Sequence, residues 1–291
     1  MKSGAYCPKD DVAEEPLFQR AFVLTLAGAC PAEWSVHLSG RITVKSPSQL
    51  EKMRVAGRLV GETLNHLEKL IEVGISTYDL DHEAEAFIRK NGGVPSFLNY
   101  EGFPASICAS INEVVVHGIP NKKTKLRDGD IISIDCGAIV DGWHGDAART
   151  FLVGSVSPEL QKLVEVTREC FFLGAEQAVE GNHLIDIARA VETHAKEYGY
   201  GVIRDMVGHG IGTSMHEPPE VPNYVDPRMG KGVKLVSGMT LAVEPMIALG
   251  TWRIVIGRDG WTCSTADGKP AAHYENTLIV GKNSAEVLTL V

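Results

Sequence analysis

The sequence predicts an α+β fold made of two similar halves whose strands meet around a central cleft. Three observations predict it. A pattern of Ser-Pro, helix, Gly, helix, Gly occurs twice. β-rich sequence follows each copy. Length allows two domains or one large domain of about 250 residues, and 44% of the 291 residues are hydrophobic and 22% charged, as in soluble globular chains; the repeat favours one domain of two halves.

The first copy opens at Ser46-Pro47, with Ser as N-cap and Pro at the first helical position. Leu50, Met53, Val60, Leu64, Leu67 and Ile71 recur at helical spacing, and Gly74 closes the element. A second helix is expected from about Thr77 to Asn91, stopped by Asn91-Gly92-Gly93. The second copy opens at Ser157-Pro158, 111 residues further on, carries Leu160, Leu163, Val164, Phe171 and Ala178, and ends at Gly181. A helix from about Leu184 to Tyr198 follows. Strand-like sequence covers 106–116 and 131–153 after the first copy. After the second it covers 202–207, 239–243, 252–256 and 274–280.

Composition excludes several classes. A net charge of −9 argues against a nucleic-acid binder that relies on a broad basic field. No apolar run approaches the ~18 residues of a spanning helix, so no membrane contact is expected. Six cysteines, at 7, 30, 108, 136, 170 and 263, form no C-x-x-C pair and read as free thiols of a reducing, cytoplasmic compartment. Residues 1–41 read as an N-terminal extension, expected to be poorly ordered, ahead of a folded domain spanning 42–291. Its apolar run Ala21–Cys30 follows an acidic segment where a secretory signal needs positive charge. Its candidate ligands Cys7, Cys30 and His37 are one short of a closed zinc site.

The chemistry concentrates in acids and histidines set in strand-like sequence. Residues 131–146 read as strand, tight turn, strand. A turn at 140–141 would put Asp135 directly opposite Asp146; a turn at Asp141-Gly142 would make them diagonal neighbours. Either way two carboxylates crowd together among apolar residues, and a cation between them relieves the repulsion. His209 stands between glycines that let the backbone approach closely, and His216 lies seven residues on before Glu217-Pro218-Pro219. Glu244 ends an apolar strand, and Glu275 is embedded in another. Acids in apolar strands need partners. Asp135, Asp146, His209, Glu244 and Glu275 supply four carboxylates and one imidazole, a donor set for Mn, Fe, Co or Zn. Four carboxylates can neutralise two divalent ions, which at about 3.5–4 Å apart would share a hydroxide and clamp a carbonyl.

In chain order, Val-His117-Gly-Ile-Pro, Asp135-x10-Asp146, Gly-His209-Gly-Ile-Gly, Met-His216-Glu-x-Pro, Val-Glu244-Pro-Met and Tyr-Glu275-Asn-Thr resemble the motifs of the type I methionine aminopeptidases. The resemblance runs from about Ile42 to Val291. Only 34 residues lie between His209 and Glu244, where type II members carry an insertion. The resemblance implies the pita-bread fold: two pseudo-symmetric halves around an antiparallel sheet and a dinuclear metal cleft. It implies hydrolytic removal of the initiator methionine when the second residue is small, with a metal-bridging hydroxide as nucleophile.

It also implies roles. Asp146 and Glu275 would bridge two ions, Asp135 would complete one site, and His209 and Glu244 the other. Glu244 would move the proton of the bridging water, His216 would bond the scissile carbonyl, and His117 would contact substrate and assist the departing amine. Tyr100, Phe103, Cys108, Met215 and Trp261 match the apolar pocket for an unbranched thioether, with Met215 where many relatives carry Phe. The implied substrates are nascent polypeptide N-termini near the ribosome, and the implied state is a cytoplasmic monomer. Two alternatives share the fold: a proline-specific aminopeptidase, whose usual extra N-terminal domain 41 residues cannot supply, and a non-catalytic module that binds peptide ends after losing metal ligands.

Overall fold

The computed structural model describes residues 40–291. The expectations for the extension, with Cys7, Cys30 and His37, lie outside the described residues.

Local signals set the helices. Helix α1 (Pro47–Glu68) starts in a capping box: Ser46 Oγ accepts from the Gln49 N–H, and the Gln49 side chain takes the Ser46 N–H at 2.8 Å. Helix α2 (Thr77–Lys90) repeats the device with Ser76 and Asp79. Helix α3 (Pro158–Glu176) is capped by Ser157, and α4 (Leu184–Glu197) is entered through the His183 N–H bonded to Asp186. The long helix of each half ends before the glycine expected to close it. The reason is tertiary: the Gly74 N–H bonds to Leu126 O and the Gly181 N–H to Leu235 O, so each chain leaves its helix to meet a neighbouring segment. The bridges Ser76↔Lys125 and His183↔Lys234 are likewise equivalent. The repeat read from the sequence therefore extends to individual backbone bonds.

In chain order the strands are β1 (Val94–Pro95), β2 (Ile107–Ile111), β3 (Val114–Val116), β4 (Ile131–Val140), β5 (Trp143–Leu152), β6 (Gly201–Val202), β7 (Gly208–Gly210) and β8 (Glu217–Val221). They continue with β9 (Thr240–Val243), β10 (Met246–Ala248), β11 (Ile254–Ile256), β12 (Cys263–Thr265), β13 (Ala271–His273), β14 (Glu275–Ile279) and β15 (Glu286–Val287). The main antiparallel sheet runs β1-β4-β5-β14-β9-β7-β8, with β2 also on β4 and β15 also on β14. The halves join at β5 and β14. Of the strand expected over 202–207 only Val202 lies in a strand, β6; the Ile203 N–H makes one more bond to Met246 O before the chain turns toward β7.

The β4–β5 turn is Asp141-Gly142, both at positive φ (49° and 77°), with Val140 opposite Trp143. This is the diagonal alternative: Asp135 faces Ala148, and Asp146 faces Gly137. Alternation then separates two faces. Ile132, Ile134, Cys136, Ala138 and Ala147 join Val60, Leu64 and Leu80 in one core under α1 and α2. Leu241, Val243 and Leu278 join Phe171, Leu184 and Ile187 under α3 and α4. The helices thus cover one face in each half, and the residues between face the cleft.

Candidate metal centre

Strand register alone gathers the acids. On the cleft face, Cys108 pairs with Asp135, Asp135 with Ala148, and Ala148 with Glu275. β9 ends with Val243 opposite Asn276, so Glu244 follows beside Glu275. In the adjacent row of that face Gly137 pairs with Asp146, and Thr277 with Ala242, which pairs with His209. Four strand side chains, with Glu244 just past the end of β9, therefore occupy two neighbouring rows. The glycines flanking His209 have the use expected of them. A Cβ on Gly208 would collide with Ala242 O, and one on Gly210 with Pro218 O.

The resulting cluster is tight and dry. Donor atoms of Asp146, His209 and Glu275 lie within 4.8 Å of one another, and so do those of Asp135, His273 and Glu275. His209 Nε2 is 3.7 Å from Asp146 and 3.8 Å from Glu244. His273 Nε2 is 3.6 Å from Glu275 and 3.9 Å from Glu244. Asp146, His209, His273 and Glu275 are each 5% exposed or less, so water does little to screen them.

Burial, first, and mutual repulsion, second, dictate the protonation of the metal-free cluster. Burial pushes the Asp135 carboxyl up to about 7. It raises Asp146, Glu244 and Glu275 well above the carboxylate range, with the neighbouring acids adding to the rise. The imidazoles move the other way: burial lowers His209 and His117 to about 4 and His273 to about 3. Neutral imidazoles beside carboxylates that cannot all ionise form a site waiting for positive charge. The orphaned atoms agree. Asp135 Oδ1, Asp146 Oδ1, Glu275 Oε1 and His273 Nε2 are buried with no hydrogen-bond partner. An unsatisfied buried group costs about 1–3 kcal/mol, whereas a divalent cation accepts carboxylate oxygen and neutral imidazole nitrogen directly. The residues fit such an ion.

The other expected site residues gather beside the acids. Phe103, Cys108 and Met215 form one buried cluster with Phe97 and Ala105, against which Tyr100, Ile119 and Trp261 pack. Phe103 meets Trp261 edge-on at 5.2 Å. Cys108 sits opposite Asp135 and so joins this apolar wall to the acids. The His216 ring lies 4.4 Å from that of His209, and its Nδ1 is 2.8 Å from the Tyr100 hydroxyl. His117, at φ 58°, stands edge-on to Trp261 at 6.3 Å. The sequence reading missed His273, Phe97, Ala105 and Ile119. His273 had a signal: it is two residues before Glu275, hence on the same side of an extended chain.

Fold and site together define a metal-dependent peptidase. The chain belongs to metallopeptidase family M24, whose model matches residues 51–282, and within that family to the methionine aminopeptidases. It is 55% identical over 249 residues to a methionine aminopeptidase of Clostridium acetobutylicum, covering 86% of this chain and 99% of that one. The crystal structure of methionine aminopeptidase from Thermotoga maritima matches with a TM-score of 0.83 and 41% identity over 86% of this chain and 99% of that one. The expected pita-bread fold is borne out. Prolidase from Pyrococcus furiosus, at 22% identity and a TM-score of 0.69, shares the fold, and this chain covers 65% of its length.

Proposed function

We propose that this chain removes N-terminal methionine from polypeptides, with two divalent ions held by Asp135, Asp146, His209, Glu244 and Glu275. The observation that carries the reading is the gathering of four carboxylates and one imidazole on two neighbouring rows of the cleft face, with an apolar wall beginning at the residue opposite Asp135. When bound, the ions supply Lewis acidity toward the scissile carbonyl and lower the pKa of water toward neutrality. Co, Mn, Fe and Zn all suit the donors.

The protein's own groups do the rest. Glu244, which follows β9 beside Glu275, helps to move the proton of the attacking water. Burial raises the Tyr100 hydroxyl to about 12, so it stays protonated and donates to His216 Nδ1. That leaves the His216 proton on Nε2, where it can donate to the carbonyl oxygen. His117, whose ring stands edge-on to Trp261 of the apolar wall, contacts the substrate and assists the departing amine. Tyr100, Phe103, Cys108, Met215 and Trp261, with Phe97 beside them, take the methionine side chain, and a small second residue is preferred, as the family resemblance implies. The substrates are nascent chains in the cytoplasm.

Metal-loaded protein incubated with Met-Ala-Ser and Ala-Pro-Ala should release methionine from the first and leave the second intact. Cleavage of the proline peptide alone, or of neither, rejects the reading. Asp146→Asn should abolish turnover while the chain still melts cooperatively; near-normal activity would refute the bridging role.

A further inference from the structure

We propose that His273 is a sixth metal ligand, placed on the ion held by Asp135. The inference rests on the two-ion reading above and deepens it. Under that reading His209 serves one ion, while the other receives only carboxylates, from Asp135, Asp146 and Glu275. The structure puts an imidazole where that second ion lacks one. Donor atoms of Asp135, His273 and Glu275 lie within 4.8 Å of one another, as close a grouping as that of Asp146, His209 and Glu275. His273 is 1% exposed, and its Nε2 is buried without a hydrogen-bond partner. At 3.6 Å from Glu275 and 3.9 Å from Glu244, that nitrogen is too far for a hydrogen bond to either carboxylate. The gap suits an atom between donors.

The backbone holds the ring in place. The His273 N–H donates to Thr150 Oγ1 at 2.9 Å, and the same hydroxyl donates to His273 O at 2.8 Å. The residue thus ends β13 fixed to β5, the strand that carries Asp146. One imidazole per ion makes the two sites chemically alike. It shifts the Asp135 site from a hard all-oxygen set, suited to Mg or Mn, toward borderline ions such as Co, Fe and Zn.

The test counts nitrogens rather than turnover. Full-length protein is loaded with two equivalents of Co(II) for visible absorption and titration, and with Mn(II) for pulsed electron paramagnetic resonance. Wild type should show two imidazole nitrogen couplings. His273→Gln should show one, with affinity for the second Co(II) reduced by about tenfold or more, the scale of lost metal-site partners. His209→Gln should retain one coupling, that of His273. Unchanged nitrogen couplings in a metal-loaded His273→Gln protein overturn the proposal and leave the two-ion reading intact. Failure of the wild type to take up two ions overturns both, so the two failures are distinguishable. Should His273→Gln fold poorly, isotopic labelling of histidine in the wild type counts the same nitrogens.

Discussion

Each residue of the centre is out of place until its neighbours are counted. Asp135 shows the energetics best, because its carboxyl sits at about 7 when the ordinary value is 3.8. A folded-state pKa above the unfolded one means that the folded chain holds the proton more tightly. The associated stability is full below the ordinary value and is lost as pH rises through about 7. At pH 8 the metal-free protein therefore carries a buried negative charge that has lost its hydration. Asp135→Asn keeps the shape and removes the charge. Without metal the variant should melt above wild type at pH 8, and the advantage should shrink toward pH 5. Added Co(II) should stabilise it much less than wild type. A lower metal-free melting temperature than wild type at pH 8 would show that burial does not penalise the Asp135 charge. At this scale the four acids and one imidazole were legible because acids inside apolar strands need partners, and five such residues together point to one cation site. His273 was not, because a neutral histidine next to tyrosine in a strand looks like ordinary core. What makes it unusual is an orphaned nitrogen, which no sequence displays.

Elements convert those residues into a site through register. The β4–β5 hairpin was readable to within one choice, since Asp-Gly is the pair a type I′ turn favours. Helix starts were readable from Ser-Pro, but helix ends were not, because Gly74 and Gly181 answer to carbonyls distant in the chain. The short strands of the second half resisted for the same reason: β7 has three residues, and its partners fix it. One junction depends on a side chain. The β5–β14 ladder pairs Glu275 with Ala148 and Asn276 with Ala147. Just past it, Thr277 Oγ1 accepts from the Asp146 N–H at 3.0 Å and donates to Asp146 O at 2.9 Å. A single hydroxyl thus satisfies both backbone groups of a proposed bridging ligand. Thr277→Val keeps the volume and strands both groups, so metal-free stability should fall by roughly 1–3 kcal/mol in urea melts. Thr277→Ser should recover most of it. Equal stability of Val and wild-type proteins would mean that water or a strand shift replaces the hydroxyl.

For the whole molecule, the same junction is where two matched halves are held together, and the proposed ions lie across it. Asp135 and Asp146 come from the first half; His209, Glu244 and Glu275 from the second. Each half has a core beneath its own helix pair, and smaller clusters cross between the halves, as where Ile131 meets Leu163 and Val191 and where Met53 and Trp143 meet Ile211 and Ile279. The short ladder between them is reinforced by Arg149, which donates to Glu275 O at 2.8 Å and to Asn276 Oδ1 at 2.7 Å. The carboxylates crowded across this junction resist ionising together, and bound cations relieve that repulsion. Metal at about a thousand times its Kd should add roughly 4 kcal/mol of stability, concentrated at the junction. Hydrogen exchange before and after chelation at pH 8 checks this. Amides of Asp146, Ala147 and Asn276 should exchange faster without metal, while those of Val60, Leu64 and Ile187 under the helices should change little. The contrast should weaken at pH 5, where protonated acids repel less. Uniform acceleration across both cores would instead mean that the halves unfold as one unit, and that the ions stabilise the fold as a whole rather than its junction.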